Sequence, residues 1–241
     1  MNEKIAELNR IINENDRIVF FGGAGVSTES GIPDFRSQDG LYHQKYAYPP
    51  ETIVSHTFFV QKTKEFYDFY KDKMIALWAK PNAAHEKLAE LEQVGKLKAV
   101  ITQNIDGLHQ LAGSKEVYEL HGSVHRNYCQ KCGGFYSVQE IMEQEGVPHC
   151  SCGGLIKPDV VLYEEGLDSE TITKSIKAIS EANVLIIGGT SLAVYPAASF
   201  IDYFHGEHLI VINKSETQKS VRATLTINEP IGEVFSQIEI K

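Results

Sequence analysis

Gly22-Gly-Ala-Gly-Val-Ser-Thr-Glu-Ser-Gly-Ile-Pro-Asp-Phe-Arg36 follows directly on Arg17-Ile-Val-Phe-Phe21. The short apolar burst is that of a buried strand. Glycines 22, 23 and 25 let the backbone turn tightly and approach a ligand closely. Loops of this kind cradle a pyrophosphate at a helix N-terminus. The run departs from the plain dinucleotide fingerprint G-x-G-x-x-G, because Thr28 stands where the third glycine belongs. After Ser30-Gly31 the chain enters Pro33-Asp34-Phe35-Arg36 instead of a long helix. A phosphate loop that runs on into an aromatic and an arginine points to a cofactor that is cut, not merely held.

Working outward, residues 2–15 place Ile5, Leu8, Ile11 and Ile12 on one helical face. Residues 56–77 repeat aromatics at helical spacing, and residues 82–93 predict a helix with Asn82 as N-cap. Lys98-Ala-Val-Ile-Thr102, Asp159-Val-Val-Leu-Tyr163, Asn183–Thr190 and His208–Asn213 predict further strands, with a helix at 169–181. Leu225-Thr-Ile adds a short strand and 231–238 a closing helix. Apolar strands alternating with helices predict an α/β fold with a largely parallel sheet. Polar clusters at 22–36, 103–109, 189–192 and 213–214 fall just after strands. Ligands bind at the C-terminal strand ends of open α/β sheets, so all four clusters are expected around one crevice.

The chain has 241 residues, 42% of them hydrophobic, enough for one substantial core plus a small module. A net charge of −9, from 32 acidic and 23 basic residues, argues against a nucleic-acid partner. The absence of an apolar leader or an 18-residue apolar run predicts a cytosolic protein with no membrane partner.

All four cysteines lie between Cys129 and Cys152, as Cys129-x-x-Cys132, seventeen residues, then Cys150-x-Cys152. Two such pairs suit one tetrahedral Zn²⁺ better than a disulfide framework. Four thiolates leave no open ligand position, so the metal is expected to be structural, and its loss to unfold the module.

Together, Gly23–Arg36, Thr102-Gln-Asn-Ile-Asp-Gly-Leu-His109, His121-Gly122, the four cysteines, Pro158–Glu165, Gly189-Thr-Ser-Leu192 and Ile212-Asn213 resemble the sirtuin family of NAD-dependent protein deacylases, in family order across nearly the whole chain. The chain looks like a compact bacterial-type member. The resemblance implies a Rossmann-like NAD-binding domain of residues 1–34, 82–125 and 158–241. It also implies a smaller domain made of a helical insertion (35–81) and a zinc-binding module (126–157). NAD, a consumed co-substrate, and an acyl-lysine protein or peptide would enter the cleft between them.

The resemblance further implies roles for single residues. His121 would be the catalytic base: once the acyl oxygen has attacked C1′ of the nicotinamide ribose and nicotinamide has left, it would act through the ribose hydroxyls to promote attack of the 2′-oxygen on the resulting imidate; imidazole chemistry suits this. Asn104 and Asp106 would serve the reacting ribose and nicotinamide. Ile105 would help hold the carboxamide, and Gln103 would reach a ribose hydroxyl. Gly23, Ala24, Gly25, Ser27 and Thr28 would form the phosphate-side loop, and Asp34, Phe35 and Arg36 its mobile extension. Gly189, Thr190 and Ser191 would contact phosphate or adenosine ribose; Asn213, Lys214 and Ile231 would lie on the adenosine side. The peptide would lie as a strand between Val160, Val161, Leu162 and Tyr163 on one side and the segment around Val194 on the other. Relatives that take acidic acyl groups carry a Tyr-x-x-Arg pair. Here Tyr67 is kept but Tyr70 replaces the arginine, which implies neutral acyl groups, acetyl first. Glu164 stands where a glycine is common and would add bulk and charge at the peptide entrance. The resemblance also implies a monomer. Two other readings remain open from sequence: NAD-dependent ADP-ribosyl transfer to protein, and a noncatalytic NAD or acyl-lysine reader.

Overall fold

In the computed structural model, residues 3–34, 40, 46–214 and 222–241 are described. The elements in chain order are α1 (Glu3–Glu14), β1 (Ile18–Gly22), α2 (Pro50–Ile53), α3 (His56–Gln61), α4 (Thr63–Phe69), α5 (Ala83–Gln93), β2 (Leu97–Thr102), α6 (Leu108–Ala112) and β3 (Val117–Glu119). They continue with β4 (Gly122–Cys129), β5 (Phe135–Tyr136), α7 (Val138–Glu143), β6 (Ile156–Val160), α8 (Ser169–Glu181), β7 (Val184–Gly188), β8 (His208–Ile212), β9 (Leu225–Ile227) and α9 (Ile231–Phe235).

Six strands form one sheet in the order β3-β2-β1-β7-β8-β9, and every pairing in it is parallel. In sheet order this is the doubly wound 3-2-1-4-5-6 arrangement, with the strand order reversing between β1 and β7. β1 and β7 are buried along their whole length, as strands covered on both faces must be. One apolar layer joins the sheet to α1, α5 and α9, and a second packs α8 and the 197–203 turn against the other face. The Asn82 cap is observed: its side chain accepts from the Ala84 N–H, and the His85 ring accepts from the Asn82 N–H.

A second, antiparallel sheet, β5-β4-β6, packs with α2, α3 and α4 around a separate core rich in aromatics, including Phe58, Phe59, Phe66, Tyr67 and Tyr70. Two sequence expectations shift here. The aromatic stretch 56–77 is not one helix: it breaks at Lys62, where φ is −134° and ψ 50°, and ends in a π-helical turn at Tyr70–Met74. The strand expected at 159–163 is β6, displaced to Ile156–Val160 and paired with β4. Among the described residues, no helix is long and apolar enough to cross a membrane.

Candidate active site

The switch point between β1 and β7 opens into a cleft of about 1000 Å³. Its floor is backbone. The Gly23 N–H donates to Gly188 O at 3.3 Å, and the Gly25 N–H to Gly189 O at 2.8 Å. This approach needs glycine: a Cβ on Gly25 would lie 2.8 Å from Gly189 Cα. Ala24–Val26 and Thr28–Ser30 are single 3₁₀ turns, so amide groups of a loop, not of a long helix, face the cleft. Gly23, Ala24, Gly25, Ser27, Thr28 and Asp34 line it. Phe35 and Arg36 lie outside the described residues.

The segment after β2 crosses the mouth of this loop. Asn104 Nδ2 donates to Ser27 Oγ at 3.0 Å, and Ser27 Oγ donates to Asp106 Oδ2 at 2.7 Å. The other carboxylate oxygen of Asp106 accepts from the Leu108 N–H at 2.9 Å. Ser27 is buried, so this chain of bonds fixes the Asn104 amide and the Asp106 carboxylate in one arrangement. Gln103 Nε2 donates to Thr190 Oγ1 at 3.0 Å. Thr190 and Asn213 hold one another through two bonds: the Thr190 N–H to Asn213 Oδ1 and Asn213 Nδ2 to Thr190 O, each 3.0 Å. These pairs tie the ends of β2, β7 and β8 together. Ile105, Gly189, Ser191, Lys214 and Ile231 line the same cleft. The four polar clusters expected around one crevice are therefore brought together.

His121 stands where this nucleotide-sized half meets the small domain. Its Nδ1 is 2.9 Å from Gln103 O. A carbonyl can only accept, so Nδ1 carries the hydrogen and Nε2 is left as a base. Burial holds the imidazole below its ordinary pKa, with the Gln103 carbonyl bond opposing in part. Its own carbonyl accepts from the Val161 N–H at 3.0 Å, which locks the base to the small-domain rim. Gly122, at φ 74°, is required next to it: a Cβ there would sit 1.9 Å from Asp159 O.

Val160, Val161, Leu162, Tyr163 and Val194 form the outer rim of the cleft. The rim is not a free strand edge. The Val161 N–H is spent on His121 O and the Tyr163 N–H on Val54 O, and the Leu162 N–H donates to the Glu165 carboxylate at 2.9 Å. Glu164 turns the chain back at φ 77°. Its carboxylate accepts from the N–H and hydroxyl of Thr57, at 2.9 and 2.7 Å. The charge expected at the peptide entrance is thus engaged in holding the start of α3. Tyr67 is buried and its hydroxyl donates to Ile156 O, and Tyr70, not Tyr67, lines the cleft. Val54, Lys73 and Met74 line it too and were not singled out from sequence. Val54 comes from the end of α2; the π-helical turn places Lys73 and Met74 there, and aromatic spacing carries no trace of that turn.

Cys129, Cys132, Cys150 and Cys152 bring their sulfurs within 4.8 Å of one another. The closest pairs are Cys129–Cys152 at 3.5 Å and Cys132–Cys150 at 3.6 Å. These spacings are far too long for a disulfide. They match the corners of a tetrahedron about 2.3 Å from a central Zn²⁺. The Lys131 N–H points at Cys129 Sγ and the Cys152 N–H at Cys150 Sγ, both at 3.4 Å, as amides do around a thiolate-bound metal. Gly154 leaves room for the cluster, since a Cβ there would lie 2.5 Å from Cys129 Sγ.

These features define a doubly wound nucleotide-binding protein with a structural four-cysteine zinc module and a half-buried histidine base between the two parts. Residues 23–196 match the model of the Sir2 family, and the chain belongs to that family. The NAD-dependent protein deacetylase of Clostridium acetobutylicum is 60% identical over 240 residues, covering 98% of each chain. That of Staphylococcus aureus strain Mu50 is 41% identical over 241 residues, covering 99% of each. Among solved structures, a Sir2 protein with a p53 peptide and NAD⁺ is 40% identical, with a TM-score of 0.85 over 97% of this chain and 96% of the other. A Sir2 protein bound to acetylated peptide is 39% identical, with a TM-score of 0.84 over 97% and 96%.

Proposed function

We propose that this protein is an NAD-dependent protein lysine deacetylase, which transfers the acyl group of an acyl-lysine to ADP-ribose and releases nicotinamide. The observation that carries this reading is the placement of His121. A neutral, half-buried imidazole, its tautomer set by Gln103 O, lines the cleft beside the rim residues Val160 to Tyr163. NAD, when bound, supplies a nicotinamide–ribose bond whose cleavage drives the reaction. The close-packed loop from Gly23 to Thr28 and the hydroxyl of Ser191, which line the cleft, would hold the phosphates. Asn104 and Asp106, already oriented through Ser27, present an amide and a carboxylate to the nicotinamide ribose and carboxamide. His121 accepts a proton at Nε2 from a ribose hydroxyl. The rim from Val160 to Tyr163, with Val194, holds the acyl-lysine peptide across the cleft from the nucleotide half. Cys129, Cys132, Cys150 and Cys152 would hold a Zn²⁺ that keeps the strands behind that rim folded.

For acyl preference we take neutral groups, acetyl first. Burial raises the pKa of Tyr70 well above the ordinary tyrosine value, so this side chain stays uncharged at the cleft and offers no cation to an acyl carboxylate. We further take the protein to act as a monomer in the cytosol, without nucleic acid or membrane as partner. The net charge of −9 supports the absence of a nucleic-acid role.

The test is incubation of an acetyl-lysine peptide with and without NAD, with mass analysis of the products. Deacetylated peptide, nicotinamide and O-acetyl-ADP-ribose are expected only with NAD. His121→Ala is expected to lower kcat by about 10³-fold while NAD still binds. Full activity in that variant would overturn the role of His121 and leave the fold assignment standing.

A further inference from the structure

Strand β4 leaves His121 at one end and finishes on the metal ligand Cys129 at the other. Between them its pairing with β6 lapses. Ser123 pairs with Asp159 and Asn127 with Pro158, so Val124, His125 and Arg126 bulge out with no opposite residue. The bulge is aimed at the segment after β2. The Val124 N–H donates to Ile105 O at 3.0 Å, and His125 Nε2 is 3.0 Å from Asp106 O. A carbonyl has no proton to give, so Nε2 of His125 carries the hydrogen. The His125 ring also lies on Gly107, whose φ is 74°, where a Cβ would be 2.7 Å from His125 Cδ2. Residues 103–107 belong to no helix or strand. The carbonyls of Ile105 and Asp106 are held from behind by β4, while the Asp106 carboxylate is held in front by Ser27.

We propose that His125 is a positioning residue for nicotinamide. By pinning the Asp106–Gly107 peptide, it sets the orientation in which Ile105 and Asp106 meet the carboxamide, and it links the metal-bound strand to that half of the cleft. This rests on the reading of the cleft as an NAD site. His125 touches neither the phosphates nor the adenosine side, so its effect is confined to the nicotinamide end.

Two variants of matched shape isolate the hydrogen bond. Gln at this position keeps an N–H near the place of Nε2; Glu keeps the length and loses the donor. His125 is exposed, so both are expected to fold, which melting temperature and zinc content will verify. The measurement is calorimetric affinity of the full-length, zinc-loaded protein for a non-cleavable NAD analogue and, separately, for ADP-ribose, which lacks nicotinamide. His125→Glu is expected to weaken the analogue about tenfold and leave ADP-ribose unchanged, while His125→Gln stays near wild type. In turnover, nicotinamide inhibition should weaken by the same factor with the peptide KM unaltered. Equal analogue affinity in the two variants, or a parallel loss for analogue and ADP-ribose, would overturn the proposal. Failure of the deacetylase reading would show differently, as no acyl-peptide turnover by the wild type despite intact analogue binding.

Discussion

The two walls of the cleft are built by different physics. The sheet wall is made of backbone: parallel strands buried on both faces, glycines that let loops touch, and carbonyl–amide bonds between the ends of β1, β7 and β8. The small-domain wall is made of side chains: an aromatic cluster, a short antiparallel sheet and four sulfurs that need a cation between them. The first wall is self-supporting. The second depends on what is bound to it, yet it carries His121, just before β4, and the rim from Val160 to Tyr163. Catalysis therefore rests on the less autonomous half.

Removing the metal tests this difference most severely. Chelation, or Cys150→Ala, is expected to unfold the β4-β5-β6 sheet and abolish deacetylation. The parallel sheet should keep its helical and strand signal by circular dichroism and its affinity for ADP-ribose. An apoprotein with full activity would show that the aromatic cluster alone supports the wall.

The same contrast explains what the sequence made legible. β1, β7 and β8 are runs of Val, Ile, Leu and Phe bounded by glycine or asparagine, and burial on both faces leaves them no other reading. The cysteine spacing announced the metal. The polar clusters were legible as cleft residues because they follow strands of an open sheet, and the cleft is lined from Gly23 to Asp34 and from Gln103 to Asp106. Their separate roles came only through the family motif, since an isolated Asn or Asp there reads as a turn cap. β4 escaped because its sequence, Gly-Ser-Val-His-Arg-Asn-Tyr-Cys, has no alternation: the bulge at 124–126 breaks the two-residue period. β3 escaped because three half-buried residues carry too weak a pattern. The family motif names Tyr67 as the acyl-side residue, but its hydroxyl is engaged with Ile156 O and Tyr70 lines the cleft instead. The π-helical turn that brings Lys73 and Met74 there leaves no mark on the spacing of aromatics.

On the sheet wall the expected weak point is contact, not folding. Gly25→Ala places a methyl 2.8 Å from Gly189 Cα and its carbonyl oxygen, so the two loops must part. The cost is about 1–3 kcal/mol, felt as a rise of about tenfold or more in KM for NAD with the peptide KM unchanged. An unaltered KM for NAD would mean that the loops tolerate separation and that phosphate binding does not depend on their approach.

Acid separates three histidines, His121 half-buried and two others fully buried. His121 is lowered by burial, so the acidic limb of kcat/KM is expected below the ordinary histidine value of about 6.5. His85 is pushed down to about 4 and His109 well below its usual range, both chiefly by burial. Their rings lie 4.7 Å apart beneath the nucleotide loops, and His85 Nε2 and both ring nitrogens of His109 have no hydrogen-bond partner. The unfolded chain binds protons at these positions near pH 6.5 and the folded chain does not. Their contribution to stability is thus complete above that pH and declines as pH falls toward 4. Melting temperature should drop across that window, and substituting His109 by Leu should flatten the drop. A melting temperature that holds between pH 6.5 and 4 would mean that the pair takes up protons in the folded state.

The smallest effect is expected at Glu164, where the two walls are least coupled. A left-handed non-glycine residue costs about 1 kcal/mol, so Glu164→Gly relieves strain at φ 77°. It also removes both bonds to Thr57 at the start of α3, each exposed and therefore of modest value. The two changes oppose one another, and melting temperature should move by no more than a few degrees. The peptide rim is held at Val161 and Tyr163 by backbone bonds to His121 and Val54 that the substitution leaves in place, so kcat should be unchanged. If the acyl-peptide KM instead changed severalfold while melting temperature held, the carboxylate would be acting on the peptide directly, and its engagement with Thr57 would have to break when substrate binds.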